Sequence, residues 1–209
     1  MQTDMVDVLI ATIGRASLEQ AILAGLHQTY RHCRVVVVAD GHCPRAREIF
    51  SRVVGGISTQ AADAIYIETP THHGAGNPVK ETWINCPRAA PFIKSLDDDD
   101  WLPPRSVEIY MRSMAEDVVL VTGMMCTLTV RGNSAPRYRL SSGALAPDHI
   151  GCGSALFRTE AAVGVPLQHV KSGDFLFLKT VAEKGRVVHL RLPLYWYNGY
   201  RCDAQRGYK

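Results

Sequence analysis

Short continuous apolar runs alternate with amphipathic stretches through the first half of the chain. Val6-Asp7-Val8-Leu9-Ile10-Ala11-Thr12 and Val35-Val36-Val37-Val38-Ala39 read as buried strands, and Ile65-Tyr66-Ile67 as a third. Pro91-Phe92-Ile93-Lys94-Ser95-Leu96 is a fourth apolar run. Between them the period changes. Leu18, Ile22 and Leu26 recur at i, i+4, i+8 and mark one face of a helix. Ser17-Leu18-Glu19-Gln20 before it has the form of a capping box. A second helix is predicted over Arg45 to Val54 and stops at Gly55-Gly56, and Lys80 to Asn85 forms a helical turn. Pro103-Pro104 suits a helix start, with Val107, Tyr110, Met111 and Met114 on the buried face.

Alternation of this kind argues an α/β fold with a mostly parallel sheet and right-handed crossovers. The loops that follow the strands then share one edge. Thr12 to Arg15, Asp40-Gly41, Pro70 to Pro78 and Asp97 to Asp100 would all face one crevice, where open α/β sheets bind ligands.

The pattern loosens afterwards. Val118 to Met124 is a strand, and Cys126 to Tyr138 a hairpin or loop excursion. Ser141 to Gly153 has little periodicity and carries Asp148 and His149. A short strand over Ser154 to Phe157 precedes a helix over Gly173 to Lys184, whose apolar face is Phe175, Leu178, Val181 and Ala182. Val187 to Leu190 and Tyr195-Trp196-Tyr197 read as two further strands. With no repeat and no strong linker, the 209 residues are treated as one domain.

Composition narrows the class. Hydrophobic residues at 46% and charged ones at 21% are ordinary for a globular chain, and a net charge of +3 does not mark a nucleic-acid binder. No apolar run approaches the ~20 residues of a membrane helix. The N-terminus is acidic and lacks a signal-peptide pattern, so a cytoplasmic protein is expected. The cysteines at 33, 43, 86, 126, 152 and 202 include no Cys-x-x-Cys and read as reduced thiols. His42-Cys43 and His72-His73 have no partner at ligand spacing.

Candidate chemistry centres on Asp97-Asp98-Asp99-Asp100. Two carboxylates about 4 Å apart repel by roughly 1 kcal/mol in water and about 4 kcal/mol near a protein surface. Four in a row are strained unless a cation or solvent relieves them. Hard oxygens suit Mg²⁺ or Mn²⁺, with water and phosphate completing the shell; the competing reading is a solvated acidic turn. Asp174, in Lys171-Ser172-Gly173-Asp174-Phe175, is either a helix cap or a general base. The loop Thr71 to Pro78 either brings backbone N–H groups to a ligand or is a flexible surface loop.

These residues resemble glycosyltransferase family 2, whose fold is the Rossmann-like GT-A fold for nucleotide sugars. Leu96-Asp97-Asp98-Asp99-Asp100-Trp101-Leu102-Pro103 is similar to that family's Leu-Asp-x-Asp-Asp stretch, and the order of parts from about residue 6 to 200 also matches. The resemblance implies a nucleotide-sugar-binding half over about 1–103 and a less regular acceptor-binding half over 104–209. It implies that Thr12, Arg15, Asp40, Asp97 and Asp98 bind the nucleotide sugar. Asp99 would hold Mg²⁺ or Mn²⁺ on the diphosphate, and Asp174 would be the catalytic base of an inverting hexosyl transfer. The implied donor is a nucleotide-diphosphate sugar, a UDP-sugar first among them. The acceptor is a glycan, a lipid-linked or a small molecule, with peripheral membrane contact left open and no nucleic acid.

The chain departs from the family pattern at three places. Ala39-Asp40-Gly41-His42 lacks one acid of the usual Asp-Asp-Gly-Ser. Gly173-Asp174 keeps the base of the usual Glu-Asp without its neighbour. The usual Ala-Arg-Asn segment before the acids has no clear counterpart, with Lys80 or Asn77 as substitutes. Loops at 70–78 and 131–153 are expected to close over the donor. Trp101, Tyr195 and Trp196 are candidates for stacking on sugar rings, with core packing the competing role. The rival readings are a nucleotidyltransferase, which calls for a glycine-rich basic loop straight after the first strand where this chain has only Ile13-Gly14-Arg15, and a nucleotide-sugar-binding protein without turnover.

Overall fold

The computed structural model describes residues 4–56, 63–74, 76–129, 137–147 and 149–198. Asp148 and Cys202 lie outside these residues, as does the tip of the expected hairpin.

The four apolar runs are strands β1 (Val6–Thr12), β2 (Cys33–Ala39), β3 (Ala64–Glu68) and β4 (Phe92–Asp97). They pair in parallel, β2 and β4 flanking β1 and β3 outside β2. Helices α1 (Leu18–Leu26), α2 (Pro44–Gly55) and α3 (Gly76–Ile84) make the crossovers. Beyond β4 and α4 (Ser106–Arg112), strand β7 (Ala155–Arg158) runs antiparallel to β4 and to β5 (Val118–Thr129). The short β6 (Arg137–Leu140) completes a hairpin with β5. Helices α5 (Thr159–Ala162) and α6 (Gly173–Ala182) follow β7. The two expected late strands are one long strand, β8 (Arg186–Asn198), parallel to β5 and broken by register shifts. The sheet order is β3-β2-β1-β4-β7-β5-β6, with β8 also on β5.

Alternate residues of the buried strands feed two cores. Val8 and Ile10 pack with Leu18, Ile22, Ile49, Val107 and Tyr110 on one face. Leu9 and Ala11 pack with Val79, Trp83, Phe177, Leu178 and Val181 on the other. Each buried aliphatic or aromatic side chain contributes roughly 1.5–3 kcal/mol, so helices on both faces are what allow β1 to be buried along its whole length. The one acid inside that strand, Asp7, is compensated by Arg34 at 2.8 Å, by Trp83 Nε1 at 2.7 Å and by the Ala90 N–H at 2.8 Å.

Three local expectations change. Ser17 adopts helical angles and makes no capping bond; its buried Oγ has no partner, so the capping box does not form. Helix α3 begins at Gly76, inside the glycine-rich stretch that reads as loop. Pro103 and Pro104 lie in a turn before α4 rather than in its first helical positions.

Candidate active site

Because β1, β2 and β4 are parallel, their carboxyl ends bring Thr12, Asp40 and the acid run to one edge of the sheet. The acids do not share one partner there. Asp97 is the last residue of β4 and Asp98-Asp99 form a turn, so Asp97, Asp98 and Asp100 turn to different groups.

Asp98 is buried and turns toward β1. It accepts hydrogen bonds from Thr12 Oγ1 at 2.6 Å and from Arg15 at 2.5 Å. Thr12 Oγ1 in turn accepts the Gly14 N–H at 2.9 Å. Gly14 has φ +81°, and a Cβ there would lie 2.8 Å from Cys43 Sγ, so this tight loop requires glycine. Burial lowers the affinity of Arg15 for its proton, but Asp98, then Asp99 and Asp97, outweigh it and hold the guanidinium charged. Arg15 also stands 3.8 Å from Asp99, whose side chain keeps about a fifth of its surface exposed.

Asp97 turns the other way, to Lys80 of α3, with which it forms a hydrogen-bonded ion pair. Burial alone would raise the Asp97 pKa; Lys80, assisted by Lys94 and Arg15, pulls it below the usual carboxylate range. For Lys80 burial works against the charge, and Asp97 and Asp174 together more than restore it. Lys80 thus answers to an acid on either side.

Asp100 serves the scaffold. It accepts the Tyr195 hydroxyl and the Asn198 N–H, the latter at 2.7 Å. Burial and the neighbouring Asp97 push its pKa well up. Tyr195 is 1% exposed, so of the three aromatics expected to stack on sugars it belongs to the core instead.

Asp174 lies in the first turn of α6 but does not cap it. Its carboxylate reaches across to Asn77 Nδ2 at 2.8 Å and to the Cys152 N–H at 3.0 Å. The preceding Ser172 has φ 61°, the one positive value outside glycine among the described residues. Strain of this kind collects where a neighbouring group must be aimed. Cys152 opens a 3₁₀ turn (Cys152–Ser154), and that turn is fastened from beneath by Lys94 of β4, which donates to the carbonyl of Gly153. Lys94 is fully buried against the faces of Tyr110 and Tyr195; burial, reinforced by Lys80, brings its pKa down to about 7.

Asp40 is buried, and its carboxylate already accepts two backbone bonds from the loop after β3, His73 N–H at 2.6 Å and Gly74 N–H at 2.8 Å. It therefore ties that loop to the end of β2 at the crevice edge.

The structure brings Thr12, Arg15, Asp97, Asp98 and Asp99 together with Lys80, Asn77 and Asp174. Asp40 adjoins this group through its N–H, which donates to the Thr12 carbonyl at 2.9 Å, while its carboxylate holds the loop after β3. Lys80 and Asn77 carry a spacing of three on α3, which places them on one helix face. Lys94 escapes a sequence reading because a lysine within an apolar strand carries no periodic signal.

No cluster of three or more His, Cys, Asp or Glu side chains is assembled among the described residues. The acid run offers instead two partly exposed carboxylates, Asp99 near Arg15 and Asp97 on Lys80. Such a sparse set of hard oxygens fits Mg²⁺ or Mn²⁺, which bind through one or two carboxylates plus water and substrate phosphates.

The sequence matches no family model and no curated protein. The fold does have relatives among solved structures. Residues 1–349 of S. aureus TarS superpose with a TM-score of 0.71 at 14% identity, over 93% of this chain and 60% of that one. The mannosyltransferase PcManGT from Pyrobaculum calidifontis, in complex with GDP-Man and Mn²⁺, superposes with a TM-score of 0.66 at 16% identity, over 97% and 58%. The chain thus has the GT-A glycosyltransferase fold and spans about 60% of the length of these neighbours. No described helix is long and apolar enough to cross a membrane.

Proposed function

We propose that the protein is a glycosyltransferase, similar to family 2, that moves a sugar from a nucleotide-diphosphate donor to an acceptor hydroxyl with inversion. The observation that carries this reading is the placement of Asp174. It is held by Asn77 and the Cys152 N–H beside Lys80, and Lys80 pairs with the first acid of the run. An acid fixed opposite a phosphate-side cluster is what an in-line displacement requires.

In this reading the nucleotide lies over Thr12, Arg15 and Asp40. Mg²⁺ or Mn²⁺ held by Asp99 would neutralise charge on the diphosphate. Lys80 and Arg15 keep Asp97 and Asp98 in fixed positions, so the cluster needs little reorganisation as charge develops. The acceptor oxygen attacks the anomeric carbon, the bond from that carbon to the diphosphate oxygen breaks, and Asp174 takes the hydroxyl proton. The donor in PcManGT is GDP-Man; a nucleotide-diphosphate sugar is proposed here, with UDP-sugars tested first.

The test is direct. Calorimetric titration of UDP and GDP with Mn²⁺ should show metal-dependent binding that Asp99→Ala abolishes, with the melting temperature kept. Unchanged metal-dependent affinity in that variant sinks the assignment of Asp99. Slow donor hydrolysis should release nucleoside diphosphate; release of pyrophosphate would instead mark a nucleotidyltransferase.

A further inference from the structure

We propose that Trp101, Trp196 and Tyr138 form the acceptor subsite, and that it takes the pyranose ring of a glycan. The proposal rests on the transferase reading for the word acceptor; the binding surface itself rests on four observations.

First, three aromatic side chains from distant segments converge. Trp101 follows the acid run, Tyr138 lies on β6 and Trp196 on β8. The ring centroids of Trp101 and Tyr138 each stand 5.9 Å from that of Trp196, edge to face. Second, the rings are not hidden. Trp101 is 44% exposed and Tyr138 63%. Side chains of this size near the end of a sheet are normally covered, and an uncovered group of them marks a binding surface.

Third, the group is rigidly joined to the acids. Trp101 and Trp196 exchange backbone hydrogen bonds at 3.0 and 2.9 Å. Asn198 and Tyr195, on either side of Trp196, hold Asp100. The carboxyl ends of β5 and β8 point the same way as those of β1 and β4. Through the Tyr195 and Asn198 bonds the aromatic group stands at the Asp100 end of the acid run, next to the carboxylates at the tip of β4. Fourth, Trp101 also borders an open depression of about 430 Å³ that it shares with Gln20, Leu23, His27 and Pro104. That volume falls within the ~300–1,000 Å³ of small-ligand sites. Gln20 and His27 supply the polar atoms that sugar hydroxyls need.

A sugar ring fits this chemistry better than a lipid. Its C–H face stacks on indole and phenol rings while its hydroxyls stay wet, which matches amphipathic, part-exposed aromatics.

The experiment titrates the protein with maltohexaose, cellohexaose and chitohexaose, following tryptophan fluorescence, with UDP–Mn²⁺ and GDP–Mn²⁺ titrated in parallel by calorimetry. At least one glycan should shift the emission saturably. Tyr138→Ala and Trp101→Ala should each weaken that glycan tenfold or more, and Trp101→Phe less than threefold, at unchanged melting temperature. Absence of a saturable shift with all three glycans overturns the proposal. So does equal glycan affinity in the alanine variants, or a shift produced by phosphatidylglycerol vesicles alone. Nucleotide binding without glycan binding removes the aromatic subsite and leaves the transferase reading. Glycan binding without nucleotide binding does the reverse.

Discussion

The two ends of the sheet are built differently. Every residue of β1 is buried, as are the last five of β2 and the first five of β4. At the other end β6 is exposed throughout, and along β8 only Leu194 and Tyr195 are buried. The polar groups differ in the same way. At the β1 end Thr12, Arg15 and Asp98 hold one another, and Asp40 fastens the loop after β3. At the β5–β8 end large aromatics stay uncovered. Parallel strands packed by helices on both faces leave only their ends available, and the functional side chains gather at the carboxyl ends, so this part of the molecule is a fixed frame. The hairpin and β8 leave open faces, where ligand contacts can vary without disturbing that frame. In the proposed reading the fixed frame meets the common nucleotide, and the open surface meets the particular acceptor. Asp174, Lys80 and Lys94 sit where the two regions join.

Substitutions at that junction should have the largest effects. Asp174→Asn keeps the shape and can still bond to Asn77 but cannot take a proton. Transfer should fall by about 10²–10⁴-fold, while calorimetric affinity for nucleoside diphosphate barely moves. Near-normal turnover would remove the base role and direct attention to His149 and Asp148. Lys80→Met should cost stability, because Asp97 and Asp174 lose the cation between them. Breaking a buried pair costs about 3–5 kcal/mol; Asp97 is 40% exposed, which places the loss near the lower end, read from denaturant midpoints. A loss below experimental error would show that the two acids are relieved by solvent.

Lys94 gives a pH-dependent test. Its folded pKa of about 7 lies below the unfolded lysine value, so the folded protein releases this proton first. Stability from this group therefore rises with pH between about 7 and the unfolded value near 10.4, and is lost as pH falls through about 7. The stability of wild type relative to Lys94→Met should grow by roughly 3 kcal/mol from pH 7 to pH 10, since each tenfold difference in proton affinity between the folded and unfolded chain is worth about 1.4 kcal/mol. A flat difference would mean that Lys94 keeps its proton throughout. The smallest effect belongs to the fixed frame itself. Asp40→Ala should weaken nucleoside and nucleotide binding alike, by about 1–3 kcal/mol, and should speed hydrogen exchange at the His73 and Gly74 amides. If only diphosphate-bearing ligands lose affinity, Asp40 does not serve the base or ribose.

The sequence by itself determined the strands β1 to β4 and the edge they share; β1, β2 and β4 stood out because a strand buried on both faces must be a continuous apolar run. It also marked the acid run and Asp174, since acids beside apolar runs stand out against the pattern. It could not divide the acid run. Side chains at 97–100 are adjacent in the chain, and only the turn after β4, with Lys80, Arg15 and Tyr195 arriving from elsewhere, gives Asp97, Asp98 and Asp100 separate partners. The single strand β8 was likewise hidden, because its register shifts break the period of two that reveals a strand. Tertiary structure decided that Asp174 reaches Asn77 and Cys152 rather than its own helix, and that Tyr195 is core while Trp101 is not. The physical reason is common to these cases. Hydrophobic periodicity is local and survives in the sequence, whereas the partner of a charge or hydroxyl is fixed by contacts many residues apart, which spacing along the chain does not encode.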